Sequence, residues 1–440
     1  MKEEFLHWVW LNRLFMAGSL CDREAGKIEV KDPGQYNRDS GPDFFNTRLM
    51  IGDTVWAGNT EVHMNASDWY RHGHHTDHAY DNVILHLVNN DDTDVFTASG
   101  RRLMTVKLEF DPVLWENYID FANNPSLLAC EGLIDRTDVL TVSHWLYMLA
   151  LDRLERKGNV IRAILEKTGN DWEETLYRLI SRCYGFRVNT DPFEMLASRL
   201  PLKIIRKHSD NLLQVEALLF GTAGLLDEVL FREAVTDEYY LALAREYRVL
   251  GAKYSIQPVD GWIWKFHRLR PANFPTVRLS QLAAMLVQSN GLFSRVLECG
   301  DSRNLITLLS VTASEYWGNH YLFGREVPSH SRNAGRQSVE LLIINAVSPL
   351  LYIYGKTKDK REKCDAAIEL LDSLPSEINS VVSDFTGAGL KPESALASQA
   401  LVELRTRWCR YRRCLDCMIG SSLISMGHKI RDSGSLFLEP

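Results

Sequence analysis

Residues 42–63 read PDFFNTRLMIGDTVWAGNTEVH, and this stretch decides the fold. Pro42-Asp43 opens a run of strand-forming residues from Phe44 to Ile51. Gly52-Asp53 follows as a two-residue turn, and its Gly-first order suits the II′ geometry better than I′. Thr54 to Met64 reads as the partner strand and carries Glu61-Val62-His63. Side chains alternate along a strand, so Glu61 and His63 point to the same face. Two carboxylates, Asp43 and Glu61, are thereby delivered to neighbouring strands beside an imidazole. Phosphodiester cleavage by a divalent cation needs such a group: carboxylates to hold Mg²⁺ or Mn²⁺, and a neighbour that orients or deprotonates the attacking water. His63 suits the second task because an imidazole titrates near neutrality. Glu4, on the first helix, completes the shell if that helix packs beside the sheet.

Outward from the hairpin, Glu4 to Phe15 has helical apolar periodicity, and Ile28 to Val30 reads as a short strand closed by Asp32-Pro33-Gly34. Ser67 is placed to cap a helix running towards Tyr80. Val83 to Val88 and Thr105 to Phe110 read as further strands. Beyond residue 125 the pattern turns helical, at Val139–Lys157, Trp172–Tyr184, Leu212–Leu226, Asp237–Leu250, Ser280–Val287, Ser338–Ala346, Lys363–Leu371 and Ser398–Arg413. The expected class is therefore α+β, with a mixed α/β domain at 1–125 and an all-helical region at 126–440. A sub-boundary is marked near 325–335.

The net charge of −7 argues against a generally adhesive nucleic-acid binder, although a local basic groove remains compatible with it. The start Met1-Lys2-Glu3-Glu4 carries no secretory pattern, and the apolar run Leu341–Tyr354 is too short to span a bilayer. Eight scattered cysteines suit a reducing compartment. The expectation is a cytoplasmic protein without a membrane partner. There is no glycine-rich phosphate loop and no Gly-x-Ser-x-Gly elbow.

The order helix, strand, Asp-bearing strand, acidic-x-basic strand, helix, strand resembles the core of the PD-(D/E)xK nuclease superfamily. Pro42-Asp43 stands at its proline–aspartate step and Glu61-Val62-His63 at its acidic-x-basic step. The resemblance implies a restriction-endonuclease-like fold and metal-dependent hydrolysis of nucleic acid. His63 departs from it, since the superfamily usually has lysine there. Over nearly its whole length the chain also resembles an uncharacterised bacterial family catalogued as a domain of unknown function. That likeness rests on GPDFFNTRL (41–49), WAGNTEVH (56–63), SDWYRHGH (67–74), AYDNVILHLV (79–88), EALLFGTAGLL (216–226), RLRPANFPTVRLSQLA (268–283) and RCLDC (413–417). It implies no activity.

Other constellations carry chemistry too. His72, His74, His75, Asp77 and His78 are near a zinc-hydrolase spacing, with one residue too many between His74 and Asp77. A zinc site there would use His72, His74 and His78; a polar loop beside the active face is the plainer alternative. His72, His74 and Tyr80 are candidates for contact with substrate, and His86 in its apolar strand reads as a satisfied core histidine. Cys409, Cys414 and Cys417 form C-x₄-C-x₂-C, a spacing for zinc or an iron–sulfur cluster, with Cys364, His428, Cys130 or Cys299 as a fourth ligand. A continuous helix through that segment would instead spread the thiols over different faces. Arg410 among the C-terminal arginines, and Arg268 and Arg270 in a proline-bounded loop, suit phosphate contact or a solvated surface. The functional expectation is a metal-dependent nuclease. The alternative is a nuclease-fold binding or scaffold protein without turnover, and the helical region then offers a surface for protein partners.

Overall fold

The computed structural model describes residues 1–16, 18–289 and 291–426. Two compact units divide the chain. Unit 1 comprises Met1–Trp145, Asp384–Leu390 and the chain from Leu404, and unit 2 comprises Leu146–Ser383 and Lys391–Glu403.

Unit 1 is built on a mixed sheet. Its strands are β1 (Cys21–Asp22), β2 (Gly26–Asp32), β3 (Gln35–Tyr36), β4 (Phe44–Ile51), β5 (Thr54–Asn65), β6 (Val83–Asn90) and β7 (Thr105–Lys107), and its first three helices are α1 (Glu3–Leu11), α2 (Asp68–Arg71) and α3 (Pro112–Asn123). The sheet order is β1-β2-β4-β5-β6-β7, with β3 also on β4. β2, β4 and β5 pair antiparallel, whereas β5–β6 and β6–β7 are parallel. The expected hairpin is present, and Gly52 takes φ +56° at the turn.

A parallel pair cannot be closed by a hairpin and needs a crossover. Residues 66–82 make it, through α2 and two 3₁₀ turns, His74–Thr76 and His78–Tyr80. The helix expected from Ser67 towards Tyr80 is thus broken after one turn. Gly73 takes φ +80°, which ends it, and Asp77 accepts from the Ala79 N–H to start the last turn. Ser67 does not cap; its hydroxyl donates to Asp92 at 2.7 Å. A Cβ on Gly58 would lie 2.4 Å from Ile84 Cγ2 and 2.7 Å from the Asn82 carbonyl, so glycine is what lets β5 meet the start of β6.

α1 packs on β5 and α3, with the Phe5 ring 5.1 Å from Trp115 and 5.2 Å from Tyr118. The C-terminal helix Met418–Ile424 returns to this unit. There Trp8 Nε1 donates to Ser421 Oγ at 2.9 Å, and Asn117 Nδ2 to the Ile424 carbonyl at 3.3 Å.

Unit 2 is mainly helical. Trp172–Tyr184, Leu212–Thr222, Glu238–Tyr254, Pro275–Gln288 and Arg361–Ser373 surround a core that includes Phe193, Phe220, Leu282 and Ile353. The segment 325–335 lies inside it. A short β-ribbon pairs His320–Leu322 with Arg325–Glu326, and Gly324 N–H is held by Asp237 Oδ2 at 3.2 Å. The apolar run around Leu341–Tyr354 belongs to a longer helical run, Arg336–Lys358, interrupted by a π turn at Ile343–Val347. The wider turn accommodates Pro349, which has no N–H to donate. By length and composition that run could cross a membrane, but 72% of its apolar window is buried within the protein, as in a core helix.

Candidate metal centre

Asp43 stands just before β4, and Glu61 and His63 share one face of β5. A bulge in β4, where the register shifts between Phe44 and Thr47 and Asn46 takes φ +59°, turns the start of that strand. The two acidic residues consequently meet. Asp43 N–H donates to Glu61 Oε2 at 3.0 Å, and Val62 N–H donates to Asp43 Oδ2 at 3.0 Å. Among the described residues no lysine or arginine pairs with either carboxylate. Their charged neighbours are imidazoles. His74 Nε2 lies 3.3 Å and His63 Nε2 3.6 Å from Glu61 Oε1, and His7 Nε2 lies 3.2 Å from Asp43 Oδ2.

The crossover supplies two of these rings. His72 Nδ1 stands 3.1 Å from His63 Nε2. His74 is held by Tyr80, whose ring stacks on it at 3.8 Å between centroids. Three imidazole nitrogens, from His63, His72 and His74, gather within 4.8 Å of one another. A tetrahedral ion with bonds of about 2.0–2.1 Å places its donors about 3.3 Å apart. The pairs His63–His72 at 3.1 Å, His74–Glu61 at 3.3 Å and His63–Glu61 at 3.6 Å are close to that spacing, and Glu61 adjoins the imidazole trio through His63 and His74.

The proton positions also fit a cation. His63 Nδ1 lies 2.8 Å from His86 Nε2, and His86 Nδ1 lies 3.4 Å from Thr105 Oγ1, whose hydroxyl donates to the Leu103 carbonyl. One tautomer satisfies the chain: each imidazole donates from Nδ1. That leaves the His63 Nε2 lone pair unprotonated and aimed at His72 and the cluster, the arrangement a ligating histidine takes. Burial, then the charges of His86, His74 and His72, hold His63 down at about 3, so the ring is neutral. Burial and His74 do the same to His86, also at about 3. Burial and the charge of Asp43 raise Glu61, and burial with Glu61 and Asp43 pushes the Tyr80 phenol up to about 12. A buried carboxylate beside a second carboxylate is costly unless a cation compensates it.

The floor is closed and the mouth open. The His63 and Glu61 side chains are 2% and 6% exposed, Asp43 is 24% exposed, and His72 reaches solvent.

Of the residues expected here, Asp43, Glu61, His63, His72, His74 and Tyr80 come together. Glu4 is engaged elsewhere: its carboxylate accepts from Tyr118 at 2.7 Å. His7, one turn further along the same face of α1, reaches Asp43 instead. His78 pairs with Asp81 at 2.8 Å on the surface, and His63 takes the place it was expected to fill beside His72 and His74. His86 is fully buried and bonded, as a core histidine should be, but its partner is His63. Arg410 is exposed in unit 1, and Arg268 and Arg270 are exposed in unit 2. Cys409, Cys414 and Cys417 lie on the C-terminal segment of unit 1, and His428 falls outside the described residues.

No curated protein and no solved structure matches the chain. A family model described as protein of unknown function (DUF2851) matches residues 3–380, and the chain belongs to that family.

Proposed function

We propose that unit 1 is a metal-dependent phosphodiester hydrolase acting on nucleic acid. The observation that carries this reading is the meeting of Asp43 and Glu61 with three imidazoles at one open spot on the sheet. The β2–β4–β5 meander, followed by a crossover to parallel β6, supports the likeness to the PD-(D/E)xK core. Glu61, His63, His72 and His74 would hold the cation. A divalent ion held there supplies charge neutralisation at a phosphate oxygen and a more acidic bound water. Three nitrogens and one carboxylate oxygen suit zinc, iron or manganese better than magnesium, which prefers oxygen and water. Of the two ions expected from the sequence, Mn²⁺ therefore fits better.

Asp43, more exposed than Glu61, faces the mouth with His7 beside it. His7 Nδ1 is buried without a hydrogen bond, and His7 Nε2 faces Asp43 Oδ2 at 3.2 Å. This pair is positioned to take a proton from water, the task assigned to His63 on sequence alone. His63 is buried, neutral and turned towards the ligand cluster, and a neutral ring cannot replace a lysine's fixed charge. That difference, together with the net charge of −7, favours a binding protein without turnover.

The test is cleavage of single- and double-stranded DNA and of RNA by chelator-stripped protein given Mn²⁺, Zn²⁺, Fe²⁺ or Mg²⁺. Cleavage by the wild type, lost in Asp43→Asn and Glu61→Gln, supports the proposal. Cleavage that survives both substitutions places the chemistry elsewhere, and no cleavage under any ion favours the binding protein.

A further inference from the structure

Four free thiols remain in unit 1 outside the imidazole site besides the exposed Cys21: Cys130, Cys409, Cys414 and Cys417, the last of them buried, lie on two segments that the structure ties together. The helix that would have spread the last three over different faces ends at Arg407. Cys409–Tyr411 is a 3₁₀ turn, Arg412 takes φ +54°, and Cys414 N–H donates to the Arg412 carbonyl at 2.8 Å. Cys417 precedes the helix Met418–Ile424 directly. A Cβ on Gly420 would lie 2.4 Å from the Cys414 carbonyl, so the first turn of that helix rests on the Cys414 backbone.

Arg412 then links this knot to the loop before Cys130. Its guanidinium donates to the carbonyls of Asn124 and Ser126, each at 2.7 Å, and Asn124 Nδ2 donates to the Ala129 carbonyl at 3.0 Å. Burial raises all four thiols, and every pair among them is close enough to interact: Cys130 with Cys409, Cys417 and Cys414, Cys409 with Cys417 and Cys414, and Cys414 with Cys417. Arg405 and Arg412 oppose that rise at Cys409 and Cys414. One donor near the cluster, Arg405 Nη1, is buried without an acceptor, and the Trp145 indole N–H faces the Cys417 thiol. Anionic sulfurs around a metal group would give Arg405 an acceptor and strengthen the contact of the indole with Cys417.

We infer that Cys130, Cys409, Cys414 and Cys417 hold an iron–sulfur cluster. A single zinc, with Zn–S bonds of about 2.3 Å, would draw its sulfurs to about 3.8 Å from one another. Among the described residues only the His63, His72 and His74 donors gather three within 4.8 Å. No three of these thiols gather as closely as one zinc would draw them, and C-x₄-C-x₂-C with a remote fourth cysteine is a spacing that holds iron–sulfur clusters. The cluster would pin the 124–131 loop to the C-terminal segment, whose next helix reaches α1 through Ser421 and Trp8. It would thereby brace the helix that carries His7.

The test is anaerobic purification of the full chain, with iron, acid-labile sulfide and zinc measured per chain, and absorption and electron paramagnetic resonance spectra taken before and after dithionite. The expected result is iron and sulfide in equal amounts with a visible band bleached on reduction. Cys130→Ser and Cys414→Ser lose both, while Cys21→Ser, altered at an exposed thiol, keeps them. Wild-type protein without iron and sulfide even after reconstitution overturns the assignment, as does zinc in place of iron. Full iron in Cys130→Ser removes Cys130 from the ligand set. If the serine variants do not fold, the iron and sulfide content of the wild type decides.

Discussion

Replacing Glu61 by glutamine separates the charge at the metal centre from its shape. Glutamine keeps a carbonyl that can accept the Asp43 N–H, now donated to Glu61 Oε2 at 3.0 Å. It removes the negative charge that burial and Asp43 disfavour. Without metal, Glu61→Gln is therefore expected to be at least as stable as the wild type. With metal the order reverses. An ion at about 100 times its dissociation constant stabilises the folded state by about 2.7 kcal/mol. For a unit of roughly 150–250 residues, each kcal/mol shifts the melting temperature by about 2–4 °C, giving about 5–11 °C in the wild type. Losing a mere hydrogen-bond partner of a ligand already costs about 10–100-fold in affinity, so losing a ligand itself takes the variant to about its dissociation constant or below. The stabilisation then falls to about 0.4 kcal/mol, a shift of about 1 °C. The assay is thermal unfolding of chelator-treated protein with and without Mn²⁺ or Zn²⁺. A variant that keeps the full metal-induced shift would refute the ligand assignment.

Three further outcomes are expected. His78→Ala leaves metal affinity within about twofold by calorimetry, because His78 pairs with Asp81 at the surface; a tenfold loss would restore the His72–His74–His78 set. Gly58→Ala destabilises the protein by about 1–3 kcal/mol in urea unfolding, since the new Cβ meets Ile84 and the Asn82 carbonyl; an unchanged midpoint would mean that β5 and β6 are not so close. In unit 2, Lys157 Nζ donates to the Ile344 carbonyl, Asn345 and Gln399, yet burial and Arg153 lower its pKa from 10.5 to about 7. The folded state thus releases the proton before the unfolded state does. The cost is complete below pH 7 and fades as pH rises towards 10.5, with a ceiling on the order of 5 kcal/mol. Wild-type stability should gain on that of Lys157→Met between pH 7 and 10; a constant difference would mean that the three acceptors keep the ammonium charged.

The hairpin was legible because its signals are local: a Gly-first turn, β-formers on either side, and the parity that places Glu61 and His63 together. Trp172–Tyr184 was legible for the same reason, and its bounds agree with the pattern. The crossover was not. Whether His72, His74 or His78 reaches β5 depends on where the chain turns at Gly73 and restarts at Asp77, and an extended His/Asp run does not encode that. Glu4 and His7 lie one turn apart on the same helical face, so periodicity could not choose between them; the partner at Tyr118 decides. The return of residues beyond Leu404 to unit 1, and with it the approach of Cys130 to the C-terminal cysteines, rests on long-range contacts such as Arg412 with Asn124. Cys130 was one of several possible fourth ligands in the sequence, and its choice in our inference rests on those contacts.

The most direct test of the metal centre is anomalous diffraction at the manganese or zinc edge from crystals grown with that ion. The account predicts a peak bounded by Glu61 Oε1, His63 Nε2, His72 Nδ1 and His74 Nε2, each about 2.0–2.2 Å away. Density absent from that position at saturating ion, or an ion seated without His63 and His74, would contradict it.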